Sequence, residues 1–243
     1  MKRVICTICA LLGVLAAVVH ADVYVKSKTH TDPVTIMGQT QPAKDQIVEQ
    51  WIGKDRLAQT TGPQGSIIDL GKKKIYIINH ATKTYVESDL PFDLAKMMPP
   101  ELAPMLAMMK PTIKVAPSGQ TKKIGKWDCT GYTMEMTMMM PVKTTMWTTT
   151  QVPFDWRAYS EKLGPELMKS TMQLDEAAAA EMKKVEGFQI ASETVMEVMG
   201  TQVKTTSEVV EISEKPAPEE TYAAPAGYTK QERLTMESFA PQQ

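Results

Sequence analysis

The chain has 243 residues, a formal net charge of −1, 23% charged residues and 43% hydrophobic residues. This balance excludes a disordered polyelectrolyte and offers no basic footprint for nucleic acid. Nineteen methionines against three cysteines describe a core that uses thioethers and has little scope for disulfides.

The first residues speak to the compartment. Lys2 and Arg3 precede an apolar run from Val4 to Val19, and Val19 and Ala21 occupy the two positions that a signal peptidase inspects. The run is short of the ~20 residues needed to span a bilayer. Residues 1–21 are therefore expected to be a signal peptide cleaved after Ala21, rather than a retained anchor, and the protein to be periplasmic or secreted. Cys6 and Cys9 leave with the leader. Cys129 then has no internal disulfide partner, which leaves three readings: a small buried hydrophobe, an intermolecular partner, or a metal or redox thiol.

Asp22 to Thr31 alternates, with Val23, Val25, Ser27 and Thr29 on one side and Tyr24, Lys26, Lys28 and His30 on the other, which predicts a half-buried first strand. A loop containing Asp32-Pro33, Gly38 and Pro42 follows, then a second strand from Asp45 to Ile52. Trp51 to Tyr85 reads as a β-meander: short apolar runs are separated by Gly53, Gly62-Pro63, Gly71 and His80-Ala81-Thr82-Lys83, where the backbone can reverse.

After Tyr85 the period changes. Leu94, Met97, Met98, Leu102, Met105, Leu106 and Met109 recur at helical spacing, interrupted by Pro99-Pro100 and Pro104. Two short helices are expected, either as an ordinary cover on a sheet or as a mobile lid over a ligand groove.

Thr112 to Ala116 is a further strand, turned by Pro117-Ser118-Gly119. Alternation resumes through Lys122 to Met140, with Gly125 and Gly131 as bulges or bends. There Tyr132, Met134, Met136, Met138 and Met140 share one face. Pro141 marks a bend, and the Thr-rich Val142 to Gln151 returns as a strand.

Asp155 is a plausible N-cap for a helix to Met172, broken at Gly164-Pro165. Gln173 to Lys184 is a second helix, ended by Gly187. Phe188 to Met199 and Thr201 to Ile212 form a hairpin. Ser213 to Glu220 is a polar linker, Pro225 to Lys230 a turn with a short extended segment, and the chain from about Gln231 a loose tail. The elements add up to an α+β domain over residues 22–230, with roughly nine to eleven strands and helices near 93–110 and 155–184.

No catalytic constellation emerges. His30 and His80 lack a neighbouring nucleophile motif, and G-x-S-x-G, H-E-x-x-H and P-loop patterns are missing. A non-enzymatic protein without a cofactor is expected. Met134, Met136 and Met138 admit three readings: core or groove lining, a Cu(I) site of soft thioethers to which Cys129 and His80 add ligands, or an oxidation sink. An apolar groove would be lined by Tyr76, Ile78, Met134, Met136 and Met138 from strands and by Met98, Met105 and Met109 from the helices. The bland alternative is a filled core without a ligand.

The segments VYVKSK, QWIGKDR, SIIDLGKKKIYIINHATKTY, IGKWDCTGYTMEM, VPFDW and PAGYTK, in that order, resemble a bacterial periplasmic domain family of uncharacterised activity, associated with the superfamily of outer-membrane lipoprotein carriers (LolA/LolB-like). The resemblance implies a strongly curved antiparallel sheet, an incomplete barrel with helices covering its concave face. In the carriers that cavity holds acyl chains. The expected partner is a lipid or acyl chain, and the expected state a monomer. The alternatives are a methionine-based copper protein and an envelope scaffold that docks a protein partner by a sheet edge or its tail.

Overall fold

Alternating β-branched and aromatic residues become strands along most of the chain. The structure is a computed structural model that describes residues 21–99, 111–137, 140–172 and 174–235. The leader up to residue 20, Met105, Met109, Met138 and the chain beyond 235 therefore lie outside the described residues.

β1 (Asp22–Thr31) is followed by a small hairpin of β2 (Val34–Ile36) and β3 (Gln39–Gln41). The meander is β4 (Lys44–Ile52), β5 (Arg56–Thr61), β6 (Gln64–Asp69), β7 (Lys74–Asn79) and β8 (Thr84–Asp89). After helix α1 (Leu94–Met97) come β9 (Thr112–Ile124), β10 (Trp127–Thr137) and β11 (Pro141–Thr149). A helical region holds α2 (Trp156–Ala158), a π-turn (Tyr159–Leu163), α3 (Gly164–Met172) and α4 (Glu176–Met182). β12 (Phe188–Val198), β13 (Thr201–Lys215) and β14 (Thr229–Gln231) complete the series.

Among the described residues, twelve strands form one sheet in the order β14-β8-β7-β6-β5-β4-β1-β13-β12-β11-β10-β9. All neighbours are antiparallel except β14, which pairs parallel with β8. β1 is the central seam: Val25 faces Gln50 of β4 on one side and Ile212 of β13 on the other. It thus joins the β4–β8 meander to the β9–β13 half. The main core contains Val25, Ile75 of β7, and Ile124 and Trp127 of β9 and β10. Strands near both ends of the order therefore reach one core, which requires a strongly bent sheet. β14 and β9 remain as edges, so the barrel is incomplete. This is the expected α+β architecture, with one strand more than expected because Thr229–Gln231 joins the sheet.

Several local expectations are corrected. The presumed loop after Thr31 holds the β2–β3 hairpin, whose turn residues Met37 and Gly38 have φ of 50° and 79°. The β12–β13 turn repeats this at Met199 and Gly200, and two positive-φ residues suit the right-handed twist of the flanking strands. Pro117-Ser118-Gly119 does not reverse the chain. β9 runs on to Ile124, and the extra residues form a bulge opposite Gly131, where the register shifts between Thr130 and Tyr132. The reversal comes instead at Gly125, with φ of 54°. β13 continues to Lys215, which pairs with Asp22, so the polar linker begins later than expected.

The predicted break at Gly164-Pro165 is a π-turn. The Gly164 N–H donates to the Tyr159 carbonyl, five residues back. Pro165 has no N–H to continue an α-helical ladder, and the wider turn absorbs that loss without ending the helix. It also points Leu163, 2% exposed, into the main core.

The segment after Gln231 is not loose as far as it is described. Leu234 is buried with Val86 and Met98, and its N–H donates to the Met97 carbonyl at 2.8 Å.

Candidate functional site

The concave face is defined by register. Gln50, Gln59, Ser66, Ile77 and Val86 lie opposite one another across β4 to β8. Their chain neighbours Trp51, Ala58, Ile67 and Tyr76 therefore occupy the convex face. On the concave side of the other half sit Met146, Ile190 and Val209.

The helical region lies over this inner face. Asp155 caps α2, its Oδ1 accepting the Ala158 N–H at 3.0 Å. Asp175 caps α4 in the same way, accepting from Ala178 at 2.8 Å. Leu163 and Tyr159 pack onto the sheet core, with the Tyr159 ring edge-on to Phe188 at 5.5 Å. Burial pushes the Tyr159 phenol up to about 12, so it is a neutral hydroxyl in this site. α4 is fastened to the sheet edge: Glu181 Oε2 accepts the Val115 N–H of β9 at 2.9 Å, and Glu181 pairs with Lys184. Gly187 ends the helical region at φ 91°, where a Cβ would stand 2.6 Å from the Thr149 carbonyl oxygen.

Between sheet and helices lies a cavity of about 570 Å³, within the usual range of ligand pockets. Its sheet wall is Met146, Phe188, Ile190 and Val209; its helical wall includes Leu167, Met168, Leu174 and Met182. Ser27, Gln50 and Ser207 add hydroxyl and amide groups on the sheet side. Charged side chains, Arg157, Glu161, Lys183 and Glu186, come from the helical region and its flanks.

The five described residues among those expected to line one apolar groove fall into three separate clusters. Tyr76 and Ile78 do not line the 570 Å³ cavity, although Ile78 borders a second cavity over β5 to β8. They pack on the convex face with Ala58, Ile67 and Tyr222, beneath the segment that follows β13. The period-two reading grouped them correctly with each other but gave no way to tell inside from outside, because Ile75 and Ile77 on the opposite face are equally apolar. Met98 lies on the concave side but at the β8 end, with Val86 and Leu234. Met134 and Met146 are buried at the β10–β11 end with Ile113, Val115, Tyr132 and Ala178, and Met136 borders that cluster. Of the eight residues expected, none appears among the described residues lining the 570 Å³ cavity.

The methionine cluster is surrounded by hydrocarbon and the Tyr132 ring. Among the described residues no group of three or more His, Cys, Asp or Glu side chains is placed to hold a metal ion. Cys129 is 2% exposed in the main core, and burial pushes its thiol above the ordinary range. His80 pairs instead with the Tyr228 hydroxyl at 2.9 Å, on the convex side. His30 lies between Asp45 at 2.7 Å and Asp32 at 3.3 Å.

The residues that do line the cavity carry a partial signal in the sequence. Ile190 and Val209 belong to correctly read alternating strands, and Leu167, Met168 and Met182 to correctly read helices. What was lacking is which helix face meets which strand, a tertiary fact.

No curated protein matches. A structure of PNGF-II is similar at 10% identity and a TM-score of 0.40, over 87% of this chain and 31% of that one, so the chain spans about a third of its length. A DUF1329 family protein from Desulfovibrio piger is similar at 9% identity and a TM-score of 0.30, over 84% of this chain and 89% of the other. Residues 42–228 match the family model described as Domain of unknown function (DUF4412). That span runs from the first meander strand to the convex-face segment, and the chain belongs to the DUF4412 family.

Proposed function

We propose that this is an exported, envelope-associated protein that holds a lipid or another apolar chain in its concave groove without altering it chemically, as LolA/LolB-like carriers do. The observation that carries the reading is the cavity of about 570 Å³ with hydrophobic walls on both the sheet and the helices. A twelve-carbon chain placed there offers about 9 kcal/mol of gross burial, before the cost of ordering it. Met146, Met168 and Met182 suit such a role, because unbranched thioethers repack around chains of different shape. The leader sequence supports export to the periplasm, and the protein is expected to act as a monomer.

Native mass spectrometry of the gently purified full-length protein tests this. Co-purified lipid, or uptake of a dodecyl amphiphile from solution, supports the reading. Bound copper in place of lipid overturns it in favour of the methionine cluster. An empty monomer that takes up no amphiphile overturns it in favour of a scaffold.

A further inference from the structure

The inner face continues beyond the 570 Å³ cavity, and past the β4–β5 seam its described lining carries no charged side chain. Gln50 lines the apolar cavity, and its Nε2 donates to Gln59 Oε1 at 2.6 Å. Gln59 lines a second cavity of about 400 Å³ over β5 to β8. On the sheet side that cavity presents Gln59, Thr61, Gln64 and Ser66, interleaved with Ile75, Ile77 and Val86, and Leu94 and Leu234 lie beside it. The groups form two cross-strand rows, Gln50–Gln59–Ser66 and Thr61–Gln64–Asn79–Thr84. Among the described residues lining it there is no Asp, Glu, Lys, Arg or His. The cations of the groove, Arg157 and Lys183, line the other cavity.

Resting on the groove reading, we infer that the preferred occupant is an amphiphile with an uncharged, hydroxyl-rich headgroup, of the glycosylated or polyol class. Its chain lies under the helices and its headgroup over β5 to β8. Amides and hydroxyls each donate and accept, and so match sugar hydroxyls, which do the same. A phosphate in the second cavity would lose water without gaining a cation, an uncompensated desolvation.

The test is calorimetric titration of the full-length protein, below micelle formation, with dodecyl maltoside, dodecylphosphocholine and dodecyl phosphate. The chain is constant and only the headgroup varies. Maltoside is expected to bind at least roughly tenfold more tightly than dodecyl phosphate, the size of one or two net hydrogen bonds. Gln59→Leu is expected to shrink that ratio roughly fivefold, with Thr61→Val as a second variant should the first fail to fold. Equal affinity for the three overturns the headgroup assignment and leaves the groove standing. Tightest binding of dodecyl phosphate also overturns it, in favour of the Arg157 and Lys183 rim. Binding of none of them overturns both readings.

Discussion

Leu163→Ala probes the docking of the helices on the sheet. Leu163 sits in the π-turn, is 2% exposed, and packs in the same cluster as Val25, Ile75, Cys129 and Ile190. Truncation removes a fully buried side chain from a site walled by strands on several sides, which limits collapse. The expected cost is about 3 kcal/mol or more. With a urea m-value of about 2–3 kcal/mol/M, the unfolding midpoint should fall by about 1–1.5 M. Leu167→Ala is the internal comparison. Leu167 already faces the 570 Å³ cavity on one side, so its truncation should cost less, about 1–2 kcal/mol. Urea unfolding followed by tryptophan fluorescence reads both. A midpoint change under about 0.3 M for Leu163→Ala would mean that the π-turn is not seated in the core, and the groove would lose its helical wall.

Other outcomes follow from single residues. Gly187→Ala should destabilise by at least about 2 kcal/mol, because φ is 91° and the new Cβ meets the Thr149 backbone; Gly200→Asn, at φ 77° in open space, should be nearly neutral by thermal melt. Lys184 and the Val115 N–H hold the Glu181 carboxyl below the usual carboxylate range. A depressed folded value means that this latch contributes above the unfolded value, about 4.3, and is lost as pH falls through the folded one. The Val115 amide shift should therefore show an acid titration step that Glu181→Ala abolishes. His30 is raised, chiefly by its hydrogen bond to Asp45. Its contribution is present below about 6.5 and is lost as pH rises through the folded value, and Asp45→Asn should return the imidazole titration toward about 6.5 by NMR.

Much of the sheet was legible because period-two alternation and glycine turns are local signals. β1 spans the residues that its alternation marks, and the meander turns fall at Gly62-Pro63, Gly71 and His80 to Lys83. Where a glycine or proline served a different geometry, the same signals misled. Pro117 and Gly119 lie in a bulge of a continuing strand, and Pro165 follows a π-turn in a continuing helix. Of the site, the helices and strands were legible but the pairing of faces was not. Tyr76 carries the same apolar signature as its opposite-facing neighbours, and the sheet register together with the burial of Tyr222 against that row identifies it as convex. Leu234 looked like tail because nothing local reports its contact with Met98.

In the proposed function an apolar chain enters between the helices and the inner sheet face. The most direct measurement is methyl NMR of methionine-labelled protein titrated with dodecyl maltoside. Met146, Met168 and Met182 line the groove. Met37 and Met199 lie on hairpin turns at 86% and 74% exposure. Saturable shifts of the first three are expected, with Met37 and Met199 unmoved. Shifts confined to Met37 and Met199, or no saturable shift at all, would contradict the proposed function.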